Sequence, residues 1–522
     1  MDPISETYDL IIVGAGSSGC VLARRLTERT SLSILLIEAG KEPSDPRIAD
    51  PAEWPFLQGS GIDWAFRTPP QPGLGGRTED CPRGKVVGGS SAIHAMGHMR
   101  GHPGDFDAWV ASGATGWDYD SLLPYFIRSE DSPFAKMPGY GQGGPIHLQL
   151  PATPHPLSRA HIEAGAEHGL KRLRDHNDGV MAGATLNTMT ILDGKRQSVA
   201  DAYLTPEIRA QSNLTIRTGD LVNRIILNDQ QHATGVELGQ GTSYEALNAR
   251  AAVILAAGSI GSPCILMRSG LGPADDLSAL GIQVRRDVPE LGKNLQDHLL
   301  SGGNVYRARQ DVPKTTTQHS EAMMYIPASG ADPTAPPDLV VGVASIPIIS
   351  LGLTGFLTPP KVGKGYTLMF GITHPRSRGH VALTSADPTA APLIDPQYLS
   401  VSEDKALFIE AMHWSRKLGN SKAYDDWRAE EVFPRPEDLI DDVTQAKFIA
   451  NAALTHHHPI GSARMGKDTA APVTTDLSVR GTTGLYIADG SVFPSLTTGP
   501  VNAAIVAVAE RAADILVKKL KP

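Results

Sequence analysis

The run Tyr8-Asp9-Leu10-Ile11-Ile12-Val13-Gly14-Ala15-Gly16-Ser17-Ser18-Gly19 decides the fold of this chain. Consecutive apolar residues that end at a glycine are typical of a strand buried on both faces of a parallel sheet. Helical spacing of apolar residues follows, and Ser33-Ile34-Leu35-Leu36-Ile37-Glu38 has the composition of a second buried strand. Residues 8–38 are therefore predicted to form a βαβ unit.

The glycine turn between the first strand and the helix indicates a dinucleotide site. It fits the pattern G-x-G-x-x-G, and Glu38 ends the second strand about 20 residues later. Glycines let backbone N–H groups approach a pyrophosphate, and the Glu38 carboxylate can accept hydrogen bonds from ribose hydroxyls. A turn that serves only tight helix packing is the alternative, and the turn suits FAD and NAD equally. We expect the following residues to bind the cofactor: Gly14, Gly16, Ser17, Ser18, Gly19, Glu38 and Ala39.

Composition limits the class of protein. A chain of 522 residues exceeds the usual size of one hydrophobic core, which favours two domains. The 47 basic and 56 acidic residues give a net charge of −9 without a basic block, which argues against a nucleic-acid partner. Cys20, Cys81 and Cys264 are few and widely spaced, as in a reducing compartment, and we expect them to be buried.

Integral membrane association is not predicted, because a spanning helix needs about 18 uninterrupted apolar residues and no run in this sequence is that long. The acidic, polar segment Met1–Glu6 leaves no room for a signal peptide before the first strand. A cytoplasmic protein is therefore expected, with peripheral docking on a membrane left open.

The rest of the chain predicts an α/β Rossmann-like nucleotide-binding domain and a second α+β substrate domain built on an antiparallel sheet. Further strands are predicted at 214–217, 222–227 and 251–258. Alternating strand-like segments lie between 300 and 450, and an amphipathic helix runs from Val501 to about Leu520. We expect a discontinuous cofactor domain of residues 1–155, 195–305 and 455–522. Residues 156–194 and 306–454 are assigned to the substrate domain.

Two long motifs resemble the signatures of the glucose-methanol-choline (GMC) oxidoreductase family. The first is Arg83-Gly84-Lys85-Val86-Val87-Gly88-Gly89-Ser90-Ser91-Ala92-Ile93-His94-Ala95-Met96, and the second begins at Gly258-Ser259-Ile260-Gly261-Ser262-Pro263. Gly292–His298, His458–Gly461 and Asp489–Pro494 also match the family. The resemblance implies FAD as the cofactor.

Several further residues are expected to hold the FAD. Gly88, Gly89 and Ser90 offer backbone N–H donors without bulk, although an ordinary mobile loop is the alternative. The resemblance adds these cofactor residues: His94, Ala95, Met96, Val222, Asp489, Gly490, Pro500 and Val501. His94 stands where most relatives have asparagine. Some relatives link flavin covalently through a histidine of this segment, but the linking position is Ile93 here, so we expect non-covalent FAD.

The cluster His456-His457-His458 precedes Pro459, which favours an extended backbone. Alternating side chains then place His456 and His458 on one face and His457 on the other. The resemblance makes His458 the base that removes the alcohol proton. Pro500 occupies the position of the family's second histidine or asparagine and lacks a donor, so His456 is expected to take that role.

Two readings compete with the catalytic one for these histidines. They could be structural, and His457 is taken as such. A metal site is not expected, because the sequence places no carboxylate nearby to complete a ligand set. Pro500 is also expected to begin the last helix, whose positive end would then point toward the flavin. The substrate residues are thus predicted to be His456, His458 and Pro500.

The resemblance implies oxidation of a small-molecule primary alcohol to an aldehyde, with oxygen or another compound as electron acceptor. Pyridoxine, a heteroaromatic alcohol, is the leading candidate, with oxygen as its acceptor. A choline enzyme needs a carboxylate or an aromatic cage for the quaternary ammonium group. This chain has few aromatic residues, and the segment after His298 carries the basic Arg307, which argues against choline. The alternatives are an aryl, aliphatic or choline dehydrogenase with a quinone acceptor, a hydroxynitrile lyase that keeps FAD, and a flavin-binding protein without catalysis.

Overall fold

The computed structural model describes residues 6–240, 243–356 and 358–520. Met1–Ser5, the segment in which no signal peptide is expected, lies outside the described residues. A mixed seven-stranded sheet carries the predicted βαβ unit. Its strands, in spatial order, are Leu214–Thr218, Ile34–Glu38, Thr7–Val13, Ser243–Leu255, Ala233–Gln240 and Val222–Leu227, and Leu485–Ile487 also pairs with Ser243–Leu255.

The first βαβ unit forms as its pattern predicts. Leu10 pairs in parallel with Ile34, and both side chains are fully buried. Gly14 ends the strand with φ +101°, and an added Cβ would lie 2.6 Å from the Ala256 carbonyl oxygen. Only glycine fits there, since both the backbone angle and the space exclude a side chain. The helix Ser17–Arg29 follows this turn.

A second seven-stranded sheet is antiparallel throughout. Its main path is Ala322–Ile326, Leu339–Ala344, Gly365–Ile372, Leu299–Ser301 and Ala453–Thr455, and the strands Asn304–Ala308 and Arg428–Phe433 extend it from Gly365–Ile372. Helices Pro156–Glu167 and Ser402–Gly419 pack against one face. Residues of the other face, including Leu300, Met323 and Met369, form a separate apolar cluster that lines a cavity.

The remaining longer helices connect or flank these sheets. They are Pro103–Ala111, Tyr119–Ser129, Gly258–Arg268, Asp442–Ala452 and Asn502–Lys519. The last of them packs on the helix Ser17–Arg29. Between the two helices, the fully buried Glu510 carboxylate accepts from Arg25 Nη2 at 2.8 Å and from Tyr203 OH at 2.7 Å. A buried carboxylate is tolerated when it is paired in this way, and the pairing joins the two helices.

The fold agrees with the predicted class: a Rossmann-like α/β sheet accompanied by an antiparallel α+β unit. Each sheet has its own large hydrophobic core. Cys20, Cys81 and Cys264 are free and buried, as expected. In the described part of the chain, no helix combines the length and the apolar character needed to cross a membrane. The residue boundaries of the two domains stay a prediction.

Candidate active site

A cavity of about 1130 Å³ is lined by residues of both sheets. It brings together most of the residues singled out from the sequence: Gly14, Gly16, Ser17, Ser18, Glu38, Ala39, Gly89, Ser90, His94, Ala95, Met96, Val222, His456, His458, Asp489, Gly490, Pro500 and Val501. Gly19 and Gly88 are absent from this lining. Gly19 serves close packing instead, because an added Cβ would lie 1.8 Å from the Gly14 carbonyl oxygen.

The two glycine turns touch each other at one end of the cavity. An added Cβ on Gly89, whose φ is +53°, would lie 2.7 Å from Gly16 Cα. The Gly88 N–H donates to the Ala15 carbonyl at 2.8 Å, which locks the turns together. Backbone is therefore exposed to the cavity without side-chain bulk, as close contact with a pyrophosphate requires.

Polar groups at this end also suit a pyrophosphate. Ser18 is 2 % exposed, and its Oγ has no hydrogen-bond partner among the described residues. Ser17 Oγ donates to Asn502 Oδ1 at 2.7 Å, so the first turns of two long helices meet here. Two helix N-termini and an unpaired hydroxyl form a site for anionic oxygens. The residues present fit the phosphates of FAD.

Glu38 and Asp489 hold the backbone around the cavity. Glu38 accepts from the N–H groups of Ala15 and Gly40, both at 2.8 Å, so one lone pair on each oxygen is left for a ribose hydroxyl. Asp489 accepts from Gly258 N, Ser262 Oγ and both the N–H and Oγ of Ser491. These four bonds fill its acceptor sites, so Asp489 orders the backbone that borders the cavity.

His94 is neutral in its surroundings. Its Nδ1 accepts from Met96 N at 3.0 Å, and burial lowers its pKa to about 3, with the nearby Arg196 adding to the effect. Arg196 itself is 5 % exposed and donates to the carbonyl oxygens of Ile48 and His94. His94 thus lines the cavity as a neutral polar side chain.

The backbone of the histidine cluster departs from the predicted extended conformation at His457. Its φ is +65°, because its N–H bonds Thr455 Oγ1 at 2.8 Å while the next N–H, of His458, bonds Asp297 Oδ1 at 2.7 Å. His456 and His458 nevertheless share one face, with ring centroids 4.3 Å apart. The His457 ring also borders the cavity, and its Nε2 lies 3.3 Å from Gln58 Nε2.

A third histidine, His298, joins this face and was not among the predicted site residues. Its Nδ1 lies 2.9 Å from His458 Nδ1, and its Nε2 lies 2.7 Å from the Thr373 carbonyl oxygen. A carbonyl can only accept, so His298 Nε2 carries a proton and, in the neutral ring, Nδ1 is the acceptor. His458 must therefore donate from Nδ1, which leaves its Nε2 with a free lone pair.

Burial keeps this group of histidines uncharged. It lowers the pKa of His298 and of His456 to about 3 each, and it lowers the pKa of His458 well below 6.5, with His456 and His298 adding to the effect. The exposed surface of His456 and His458 faces the cavity. A neutral imidazole is able to accept a proton at neutral pH, as a general base must.

Asp297 is the second site residue that the sequence reasoning missed. It is 4 % exposed and accepts from Tyr398 OH and Thr455 Oγ1, both at 2.6 Å, besides the His458 N–H. Burial raises its pKa. Its contacts fix the backbone from which His458 projects. The motif Gly292–His298 pointed to this place, but neither of its last two residues received a role.

One ring nitrogen from each of His298, His456 and His458 lies within 4.8 Å of the other two, a spacing that metal ligands also show. The Nδ1 atoms of His298 and His458 already share a hydrogen bond.

Pro500 lines the same cavity, and its Cγ would be 4.0 Å from a Cβ added to Gly97. Pro500 was predicted to begin the last helix. That helix begins at Asn502, two residues later, so Pro500 lies before its first turn and the prediction is wrong.

Comparison with known proteins decides the family. Two family profiles described as GMC oxidoreductase match residues 8–300 and 375–509, which together are most of the chain. The chain belongs to the GMC oxidoreductases. It is an FAD-dependent alcohol oxidoreductase, as the sequence predicted.

The relatives of this GMC oxidoreductase are named for different activities. Pyridoxine 4-oxidase of Microbacterium luteolum is 44% identical over 505 residues, covering 96% of this chain and 98% of the relative. An oxygen-dependent choline dehydrogenase of Photobacterium profundum is 34% identical over 98% of this chain and 93% of its own length. The crystal structure of pyridoxine 4-oxidase from Mesorbium loti superposes with a TM-score of 0.92 at 44% identity, covering 97% of this chain and 98% of that one.

Proposed function

We propose that this GMC oxidoreductase oxidises pyridoxine, at one hydroxymethyl group, to the aldehyde pyridoxal and passes the electrons to oxygen. The observation that carries the proposal is the hydrogen-bond chain from Thr373 through His298 to His458, which leaves His458 Nε2 free to accept a proton. The substrate follows from the 44% identity to pyridoxine 4-oxidase over nearly the whole of both chains.

The proposed roles of the cavity residues follow from their chemistry. His458 accepts the hydroxyl proton of the alcohol through Nε2. His456, whose ring lies 4.3 Å from that of His458, offers a further polar contact to the substrate, and Pro500 supplies an apolar wall. Bound FAD supplies the hydride acceptor for the carbon that loses hydrogen.

We propose that FAD is held without a covalent link, by the two glycine turns, Ser18 and the paired helix N-termini. The division into a cofactor domain and a substrate domain is proposed at the boundaries given above. A cytoplasmic location is likewise proposed, and the three free, buried cysteines support it.

Anaerobic mixing of the holoenzyme with alcohols tests the function. Pyridoxine is expected to bleach the visible absorbance of the flavin, and admission of air is expected to restore it with formation of hydrogen peroxide. Choline, benzyl alcohol and glucose serve as competing substrates in the same assay. Faster bleaching by choline than by pyridoxine would contradict the proposed substrate, and an unchanged spectrum with every alcohol would favour a lyase.

His298→Phe is expected to slow flavin reduction by roughly tenfold, because a ring without an acceptor no longer holds the His458 proton on Nδ1. His298→Asn is expected to recover part of the loss, since its Oδ1 can occupy the place of the lost acceptor. Stopped-flow absorbance measures the rate constants. Equal losses in both variants would indicate a packing role for His298 and no control of the tautomer.

The pH profile gives a second measurement of the same relay. A base with a depressed pKa stays unprotonated above that value and loses function only as the pH falls through it. The wild-type rate constant for flavin reduction should therefore stay level from pH 8 to pH 6 and fall only at lower pH. An acid limb centred near 6.5 would contradict a neutral, buried His458.

A further inference from the structure

Two neighbouring residues of the cavity lining each carry a buried polar atom that the proposed chemistry does not use. Asn187 is 3 % exposed and Ser320 is 7 % exposed. Asn187 Oδ1 and Ser320 Oγ have no hydrogen-bond partner among the described residues, and both residues belong to the cavity lining. Buried polar atoms are usually paired, and because these two residues line the cavity, a bound ligand can supply the missing partners.

Their orientation is set by neighbouring bonds. Asn187 Nδ2 donates to the Ser320 carbonyl at 3.0 Å, and a flipped amide would set two oxygens against each other. Oδ1 is therefore the free atom. The Gln318 side chain accepts from the Ser320 N–H at 2.7 Å and donates to the Ser320 carbonyl. The two free atoms belong to segments far apart in sequence, and these bonds hold them next to each other.

Backbone pairing places Asn187 near Pro500. Gly97 pairs antiparallel with Met189, and the His98 N–H donates to Thr188 at 2.9 Å, which brings the following Met99 alongside Asn187. Met99 in turn abuts Gly499, since a Cβ added there would lie 2.8 Å from Met99 Cβ. Neighbouring strands are about 5 Å apart, so Asn187 is within roughly 10 Å of Gly499, the residue before Pro500.

We propose that Asn187 and Ser320 form a subsite that binds a second hydroxyl group of the substrate, distinct from the hydroxyl that is oxidised. Asn187 Oδ1 only accepts, which requires a donor on the ligand and excludes carboxylates and quaternary ammonium groups. Ser320 Oγ both donates and accepts, so a hydroxyl satisfies both atoms. The inference rests on the proposed function: in pyridoxine the group is the second hydroxymethyl, at the 5 position of the ring.

Ser320→Ala in the holoenzyme tests the subsite with little risk to folding, because the Oγ makes no bond within the described protein. Binding is measured as perturbation of the flavin spectrum with two pairs of ligands. In the first pair, 4-deoxypyridoxine keeps the 5-hydroxymethyl and 4,5-dideoxypyridoxine lacks it. In the second, 1,2-benzenedimethanol has two hydroxymethyl groups and 2-methylbenzyl alcohol has one.

The variant is expected to weaken binding of the ligand with the extra hydroxyl by about 3- to 10-fold and to leave its partner unchanged. Thr190→Val is the matched control: Thr190 is 3 % exposed and its Oγ1 also lacks a partner, but it does not line the cavity. This control should change neither member of a pair.

Equal binding of both members of each pair to the wild type, or equal weakening by Ser320→Ala, would overturn the subsite. The deoxypyridoxine pair lacks the hydroxymethyl group that is oxidised, so its outcomes do not depend on turnover. For the benzyl alcohols, binding is read from the oxidised flavin before any bleaching. Failure of pyridoxine to bleach the wild-type flavin would instead refute the proposed substrate. If that occurs while 1,2-benzenedimethanol still binds more tightly than 2-methylbenzyl alcohol and Ser320→Ala removes the difference, the subsite stands without that substrate.

Discussion

Flavin reduction by the alcohol is expected to slow by about 10²- to 10⁴-fold when His458 is replaced with alanine, the range that loss of a general base typically produces. Among the atoms that line the cavity, His458 Nε2 is the one that the Thr373–His298 relay leaves with a free lone pair. Stopped-flow absorbance under anaerobic conditions isolates this step. The ratio of flavin to protein absorbance should stay at the wild-type value, because His458 is not proposed to hold FAD.

His457→Ala is the control for this prediction. It removes a neighbouring imidazole with a similarly depressed pKa, about 3, whose ring contacts Gln58. We expect a change of less than about threefold, since no proton transfer is assigned to this ring. Comparable losses in His457→Ala and His458→Ala would mean that the segment as a whole matters, and that no single imidazole acts as the base.

The parts of the fold that sequence predicted well are those specified by local pattern. Thr7–Val13, Ile34–Glu38 and Val222–Leu227 are short apolar strands bounded by turn residues, and their limits agree with the prediction to within a residue or so. The glycine turn was equally clear, because the spacing of its glycines reflects a backbone requirement within a few residues.

Contacts between distant segments could not be predicted in this way. His298 and His458 are 160 positions apart, and Asn187 and Ser320 are 133 apart. Neither pair has a local pattern, because the antiparallel sheet and its loops bring them together. The left-handed backbone at His457 was missed for the same reason, since it follows from Asp297 and not from the neighbouring Pro459.

Residue type also left the role of acidic side chains open. Glu38 and Asp489 were both expected to serve the cofactor, and both line the cavity. The four bonds of Asp489 go to backbone and serine groups. A carboxylate that orders backbone N–H groups and one that binds a ribose look the same in sequence. Only the count of filled acceptor sites separates the two roles.

Gly89→Ala is expected to weaken FAD binding by about 30- to 1000-fold, so that the variant purifies largely without flavin. The new Cβ would lie 2.7 Å from Gly16 Cα, and the φ of +53° is strained for alanine. Overpacking and a left-handed backbone are each expected to cost about 1–2 kcal/mol here, a sum of about 2–4 kcal/mol that corresponds to this range of affinity. Because both segments are backbone, the strain is relieved by opening the turns that would contact the pyrophosphate. FAD titration followed by flavin fluorescence measures the dissociation constant.

Gly330→Ala separates the clash from backbone strain. Gly330 also has a positive φ, +79°, but no described atom lies within 4 Å of the position of its added Cβ. That variant should lose at most a few degrees of thermal stability and keep its full flavin content. Circular dichroism of Gly89→Ala should remain that of a folded protein, since the clash is confined to the two turns. A Gly89→Ala protein with a wild-type dissociation constant would mean that contact between the glycine turns is not needed for the cofactor, and Ser18 and the helix N-termini would then carry the binding.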